Sequence, residues 1–204
     1  MIELIYGGSG SGKSSFAENE IMKIKNSQNF YIATMKNLDS ESQRKILRHK
    51  EMRKNKNFIT IEQSENLSEA SKIICDLKNQ QKVLNQIVNL KNPQKLQNQQ
   101  DKNETKKISV LLECLSNLLA NEMFKNGEEL NQDFVAKKII SDLEKIILVT
   151  DNFFIVSNNI FDDGIEYSKS TKNYMTSLAK INSYLAKRAD KVFEVVVGFP
   201  QKIK

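Results

Sequence analysis

Residues 2–15 read IELIYGGSGSGKSS, and no other stretch restricts the fold as tightly. A short apolar run leads straight into Gly7, four further residues, Gly12, Lys13 and Ser14; SSFAENEIMKIK then reads as a helix. Strand, glycine-rich loop and helix, in that order, suit a chain that wraps phosphates. Glycines let the backbone curl, so that the N–H groups from Gly7 through Gly8, Ser9, Gly10, Ser11 and Gly12 turn inward. The helix adds the partial positive charge of its N-terminus. Lys13 reaches the β- and γ-phosphates of a nucleotide, and the Ser14 hydroxyl is placed to ligate Mg²⁺. The motif predicts a P-loop for a purine nucleoside triphosphate, ATP or GTP, with Mg²⁺.

Such a loop works with a carboxylate at the end of another apolar strand, close to the metal. SVLLEC (109–114) supplies Glu113. The single histidine, His49, lies in a charged stretch where Ser40 and Gln43 have capping-box spacing. On a helix, Lys45, His49 and Arg53 fall on one line, four residues apart. Two readings fit that line. His49 is either a solvated histidine on a basic face, or a neutral imidazole kept nucleophilic by positive neighbours that also attract a triphosphate. Spacing alone does not choose between them.

Apolar runs of strand length recur: IELIY (2–6), NFYIAT (29–34), FITIE (58–62), SVLLEC (109–114), FFIVSN (153–158) and VFEVVV (192–197). Continuous apolar strands alternating with helices predict an α/β fold, a mostly parallel sheet with helices on both faces, as in P-loop NTPases. Tyr174, Leu178, Ile181, Leu185 and Ala189 make one apolar helical stripe, and Phe134, Ile139, Ile140, Leu143 and Ile147 make another. All 204 residues read as one P-loop α/β domain with an Asn/Gln/Lys-rich insertion at about 79–107. That insertion is too polar to bury much surface, so it reads as poorly ordered.

The net charge of +6 raises nucleic acid as a partner, but its location argues against that. Residues 79–107 carry six lysines against Asp101 and Glu104, a net +4, which leaves +2 for the rest. No stacking aromatics accompany the lysines, so no nucleic-acid partner is expected. No apolar run approaches the ~18 residues of a membrane span. MIELIYGG has neither a basic region nor a long apolar core, so a signal peptide is not expected. Cys75 and Cys114 form no CxxC pair and read as reduced thiols, so the location read from the sequence is cytoplasmic.

Several stretches fall together in one order: YGGSGSGKSSFAE, YIATM, RHKEMR followed by FITIE, VLLECLSNLLANEMF, VSNNIFDDGIEY and INSYLAKRADKVFEVVVGFPQKIK. This resembles the bifunctional adenosylcobinamide kinase / adenosylcobinamide-phosphate guanylyltransferase family of cobalamin biosynthesis, over nearly everything except 79–107. The resemblance implies two reactions. A nucleoside triphosphate phosphorylates the aminopropanol hydroxyl of adenosylcobinamide. GTP then guanylylates a histidine, and the GMP passes to that phosphate. The resemblance puts the guanylylated histidine at His49, the phosphate loop at Gly7 to Ser14, and the strand-end acid at Glu113. Arg53 and Glu62 fall on positions near the nucleotide. It also implies a P-loop α/β fold and a homotrimer.

Two departures stand out. Asn159 occupies a place where an acidic residue is common, leaving Asp162 or Asp163 to compensate if that acid matters. Ser116 stands where threonine is common and keeps the hydroxyl. Two other readings compete: a P-loop kinase of another small alcohol with a merely solvated His49, and a non-catalytic binding module, nucleotide-gated or nucleic-acid-binding, that uses the basic segment 79–107.

Overall fold

The structure is a computed structural model, and it describes residues 1–37, 39–91, 106–161 and 164–204. Its centre is a seven-stranded sheet. In chain order the strands are β1 (Ile2–Gly7), β2 (Ser27–Ala33), β3 (Ile59–Glu62), β4 (Lys107–Glu113), β7 (Asn152–Asn158), β8 (Lys191–Val196) and β9 (Phe199–Lys202). A separate two-stranded hairpin pairs β5 (Phe124–Lys125) with β6 (Glu128–Glu129). The helices are α1 (Lys13–Met22), α2 (Ser40–Arg53), α3 (Ser68–Lys91), α4 (Leu115–Met123), α5 (Gln132–Val149) and α6 (Lys169–Arg188). The sheet order is β3-β2-β4-β7-β1-β8-β9, parallel throughout except for the final β8–β9 pair.

Both faces of the sheet are covered, which is why its strands read as unbroken apolar runs. Alternation along each strand sorts the side chains. Leu4, Phe30, Ile32, Val110, Leu112, Phe153 and Ile155 face a core shared with α3, α4, α5 and α6. Ile5, Tyr31, Leu111, Phe154 and Val156 face the other way, against Ala17 and Ile21 of α1. Each such side chain removed from water contributes roughly 1.5–3 kcal/mol before the cost of ordering it. The turn after α2 joins α1 on this second face: Lys56 pairs with the buried Glu18 at 2.6 Å.

All six expected strands are present. The α6 stripe is as expected, with Leu178, Ile181 and Leu185 fully buried and Ala189 just past the helix end. Three expectations need correction. In α5 the buried face is Val135, Ala136, Ile139, Leu143 and Ile146, while Phe134 is 61% exposed; the stripe starts one residue later than its aromatic suggests. The cap of α2 is Asp39, not Ser40: its carboxylate accepts from the Ser42 N–H at 2.7 Å, and the Ser42 hydroxyl answers the Asp39 N–H. Finally, α3 runs to Lys91, so the first half of segment 79–107 is helical and Lys107 already belongs to β4. Residues 92–105 lie outside the described residues, as do Asp162 and Asp163.

The parallel registers bring five strand ends to one edge. Gly7 pairs with Asn158, and Ala33 stands between Glu62 and Glu113. In open α/β sheets this carboxyl edge is where ligands bind.

Candidate active site at the carboxyl edge

The loop after β1 closes on itself. The Ser11 N–H donates to the Gly8 carbonyl at 3.3 Å, and the Lys13 ammonium donates to the same carbonyl at 2.8 Å. Gly12 sits at φ +93°, a conformation that side chains rarely adopt, and begins α1 as its cap. Gly7 is needed for space: a Cβ there would stand 2.5 Å from the Val195 carbonyl oxygen. Lys13 is 7% exposed, and burial pulls its ammonium below the usual lysine range, against the opposing fields of Cys114 and Glu113. Among the described residues this buried ammonium has no ion-pair partner, and an anionic ligand at the loop would offset the cost of burying it.

Glu113 ends β4 directly beside this loop. Its Oε1 accepts from the Ser14 hydroxyl at 2.7 Å, while its Oε2 is buried and unpartnered. Burial is the main cause that pushes its carboxyl above the ordinary range; the Ser14 hydrogen bond and the fields of His49 and Lys13 act the other way. The next residue, Cys114, takes φ +67°, unusual for a side chain, and turns the chain into α4. The Thr34 hydroxyl pins the turn by donating to the carbonyls of Glu113, at 2.7 Å, and Cys114, at 3.0 Å.

A cavity of about 370 Å³ fills the space above the loop. Ser9, Gly10, Ser11, Gly12, Lys13 and Ser14 form its floor, and Glu113, Asn158, Arg48 and His49 form its walls. A second cavity of about 320 Å³ adjoins it, with Met35, His49, Glu113 and Asn117 in the common wall. Tyr31, Ile46 and Leu47 make that second cavity largely apolar, and Arg53 and Glu62 line it. His49 therefore stands between the two, its Nδ1 buried and without a partner.

The P-loop, Glu113 and His49 are thus brought together within one chain. Arg53 is brought near but differently: its guanidinium lies 3.5 Å from the centre of the Tyr31 ring and is 8% exposed. It lines the apolar cavity and not the cavity above the loop. Glu62 is exposed and pairs with Lys50 at 2.8 Å, on the same apolar side. Lys45 points to Glu41 at 2.6 Å while still lining the cavity above the loop.

Sequence reasoning did not single out Asn158, Asn117 or Tyr31. Asn158 had a signal: it ends an apolar strand beside the one that carries the P-loop, and its amide donates to the Ser116 hydroxyl at 2.6 Å. That contact also gives Ser116 its role, and the Tyr174 hydroxyl holds the same residue through its carbonyl at 3.0 Å. Asn159 continues the β1–β7 pairing, its N–H donating to the Gly7 carbonyl at 2.8 Å. Among the described residues, no group of three or more His, Cys, Asp or Glu could hold a metal ion, and no helix is long and apolar enough to cross a membrane.

Comparison with known proteins follows the same lines. A solved DnaB-like replicative helicase, described with its primase interactions, superposes with a TM-score of 0.50 at 11% identity. The match covers 95% of this chain but only 46% of the helicase, and it is a likeness of fold alone. The bifunctional adenosylcobalamin biosynthesis protein CobU of Escherichia coli K12 is 26% identical over the full length of both chains. The family model for cobinamide kinase / cobinamide phosphate guanyltransferase matches residues 3–90 and 78–203. A match of that extent, on a chain whose glycine-rich loop, strand-end glutamate and lone histidine line one cavity, means that this protein belongs to the cobinamide kinase / cobinamide phosphate guanyltransferase family of transferases.

Proposed function

We propose that this chain transfers a phosphoryl group from ATP or GTP to the aminopropanol hydroxyl of adenosylcobinamide, and then moves GMP from GTP through His49 onto the new phosphate. One observation carries the reading: His49 lines the cavity formed by the P-loop of its own chain, with Glu113 in the shared wall.

In the second reaction a nitrogen of neutral His49 attacks the α-phosphorus of GTP. A P–N bond forms, the bond to the bridging oxygen breaks, and pyrophosphate leaves with the electron pair. A phosphate oxygen of adenosylcobinamide phosphate then attacks the same phosphorus. The P–N bond breaks, His49 is restored, and adenosylcobinamide-GDP is formed. Two displacements replace one difficult step. Lys13 and the loop N–H groups hold the phosphate oxygens on which charge develops. The adjoining cavity has the size and the apolar walls to take the nucleoside.

The donor set suits Mg²⁺: the Ser14 hydroxyl meets one oxygen of Glu113, and the other oxygen is buried with no partner. When bound, Mg²⁺ neutralises charge on the β- and γ-phosphates. Ser14 and Glu113 would hold it. The reading includes a cytoplasmic homotrimer, for which a sedimentation mass is the test. It includes no nucleic-acid partner.

Incubation with α-³²P-GTP and Mg²⁺, followed by denaturation, tests the histidine step. The expected label is acid-labile, alkali-stable, present on the wild type and absent on His49→Ala. An unlabelled wild type that still moves γ-³²P to an alcohol would leave only a small-molecule kinase.

A further inference from the structure

The P-loop is held from outside by a part of the chain far away in sequence. Strands β8 and β9 are joined by the two residues Val197 and Gly198, both left-handed, at φ +49° and +84°. That is the tight hairpin loop whose twist matches its strands. The Gly198 N–H donates to the Ser11 carbonyl at 2.8 Å. A Cβ on Gly12 would stand 3.3 Å from the Gly198 Cα, so loop and turn touch backbone to backbone. One strand back, the Val195 carbonyl closes on Gly7. Both ends of the phosphate loop are therefore braced by the same hairpin.

The hydrogen bond fixes a direction. The Ser11–Gly12 peptide is trans, so its carbonyl and the Gly12 N–H point opposite ways across one rigid plane. Gly198, which does not line the cavity, holds the carbonyl. The Gly12 N–H is thereby turned away from Gly198, on a residue that lines the cavity. A loop that binds phosphate through backbone donors depends on such planes being set before the ligand arrives.

We infer that the Val197–Gly198 turn is a strut that presets the phosphate-binding geometry of the loop, which makes Gly198 a positioning residue. It contributes a backbone donor at a fixed place and a close backbone contact with Gly12, so it acts through the loop and not on substrate. This rests on the reading that the loop holds phosphates, and the test separates the two.

Two variants break the strut. Gly198→Val forces a branched side chain into a left-handed conformation. Replacing Val197–Gly198 with a four-residue Gly-Ser loop keeps both strands and removes the fixed donor. Val197→Asn is the control, because it keeps Gly198 and favours the same turn. Affinity for inorganic tripolyphosphate is read by displacement of a fluorescent ATP analogue, beside a thermal melt of each full-length protein without ligand. Tripolyphosphate carries no base or sugar, so it reports on the phosphate cradle alone. The expected result is about tenfold weaker binding in both strut variants, the scale of one lost oriented donor, with wild-type affinity in Val197→Asn. Wild-type affinity in either folded strut variant overturns the inference. Unfolding of both overturns it too, since the turn would then be a folding element. A wild type that does not bind tripolyphosphate strikes the phosphate-loop reading itself.

Discussion

Two helices bring chemistry to the same cavity, and they are held in opposite ways. Helix α1, carrying Lys13 and Ser14, buries Lys13, Ala17, Glu18 and Ile21 against the sheet. Its loop is gripped by β1, by Val195 and by the Gly198 turn. Half of the residues of helix α2, which carries His49, are charged, and Arg53 is its one buried side chain among those described. It is kept in place by the Asp39 cap, by the Arg53–Tyr31 stack and by the exposed Lys50–Glu62 pair. Exposed pairs of that kind are worth little. The difference teaches a division of labour. On the proposed function, phosphate is held by backbone braced within the fold, while the histidine rides on a lightly docked element.

If that division is right, the two reactions can be cut apart. The largest effect is expected from His49→Ala. Removing a nucleophile can cost about 10⁶-fold in turnover, so guanylyl transfer should be abolished, while phosphoryl transfer from ATP falls by less than about tenfold. Equal loss of both reactions would break the comparison. Lys13→Ala should do the opposite and lower both reactions together, each by about 10²–10³-fold, the usual cost of losing one preorganised donor to developing charge. Steady-state rates for each half-reaction, measured separately, decide both cases.

Arg53→Ala sharpens the contrast from the α2 side. The guanidinium covers the Tyr31 ring, and a buried stack of that kind is worth about 0.5–2 kcal/mol. Without it, His49 should be positioned less often, so guanylylation should slow by about tenfold while the affinity for ATP stays within twofold. A matching loss of ATP affinity would mean that Arg53 holds phosphate directly.

Much of the phosphate side was legible in the sequence, because its signals are local. Gly7, Gly12, Lys13 and Ser14 lie within eight residues, and Glu113 closes an apolar run. The six buried strands showed for the same reason: a strand covered on both faces has no polar side to interrupt it. What escaped depended on distant partners. Strand β9, FPQK, is exposed throughout and contains Pro200, so nothing in it reads as a strand until β8 lies alongside. The small β5–β6 hairpin did carry a readable turn, Asn126–Gly127, at φ +56° and +81°. The place of Arg53 on Tyr31, and of Gly198 on Ser11, joins residues 22 and 187 positions apart and leaves no trace in spacing.

A smaller effect concerns what rigidity costs the phosphate side. Burial raises the Glu113 carboxyl above its ordinary range, so the native state holds that proton more tightly than the unfolded chain does. Stability from this group is full at pH below the unfolded value. It is lost as pH rises through the raised folded value. Glu113→Gln has no charge to desolvate. Without ligand, it should melt above the wild type at neutral pH, by an amount that vanishes near pH ~4, where the wild-type carboxyl is protonated in both states. The same variant should lose Mg²⁺-dependent turnover. A gap in melting temperature that shrinks as pH rises would contradict the burial argument.

The smallest effect tests the outer brace. Val197 is a branched residue at φ +49°, a conformation it adopts only against its own sterics. It is 83% exposed, so packing does not repay the strain. Asparagine tolerates that conformation and suits the first position of such a turn. Val197→Asn should therefore raise the melting temperature by about 2–4 °C, the shift that about 1 kcal/mol produces in a chain of this size. It should leave guanylylation of His49 unchanged, because α2 does not touch the turn through any of the contacts that hold it. A stabilised protein with slower guanylylation would mean that the two regions are coupled after all, and that the brace on the phosphate loop also sets the approach of the histidine.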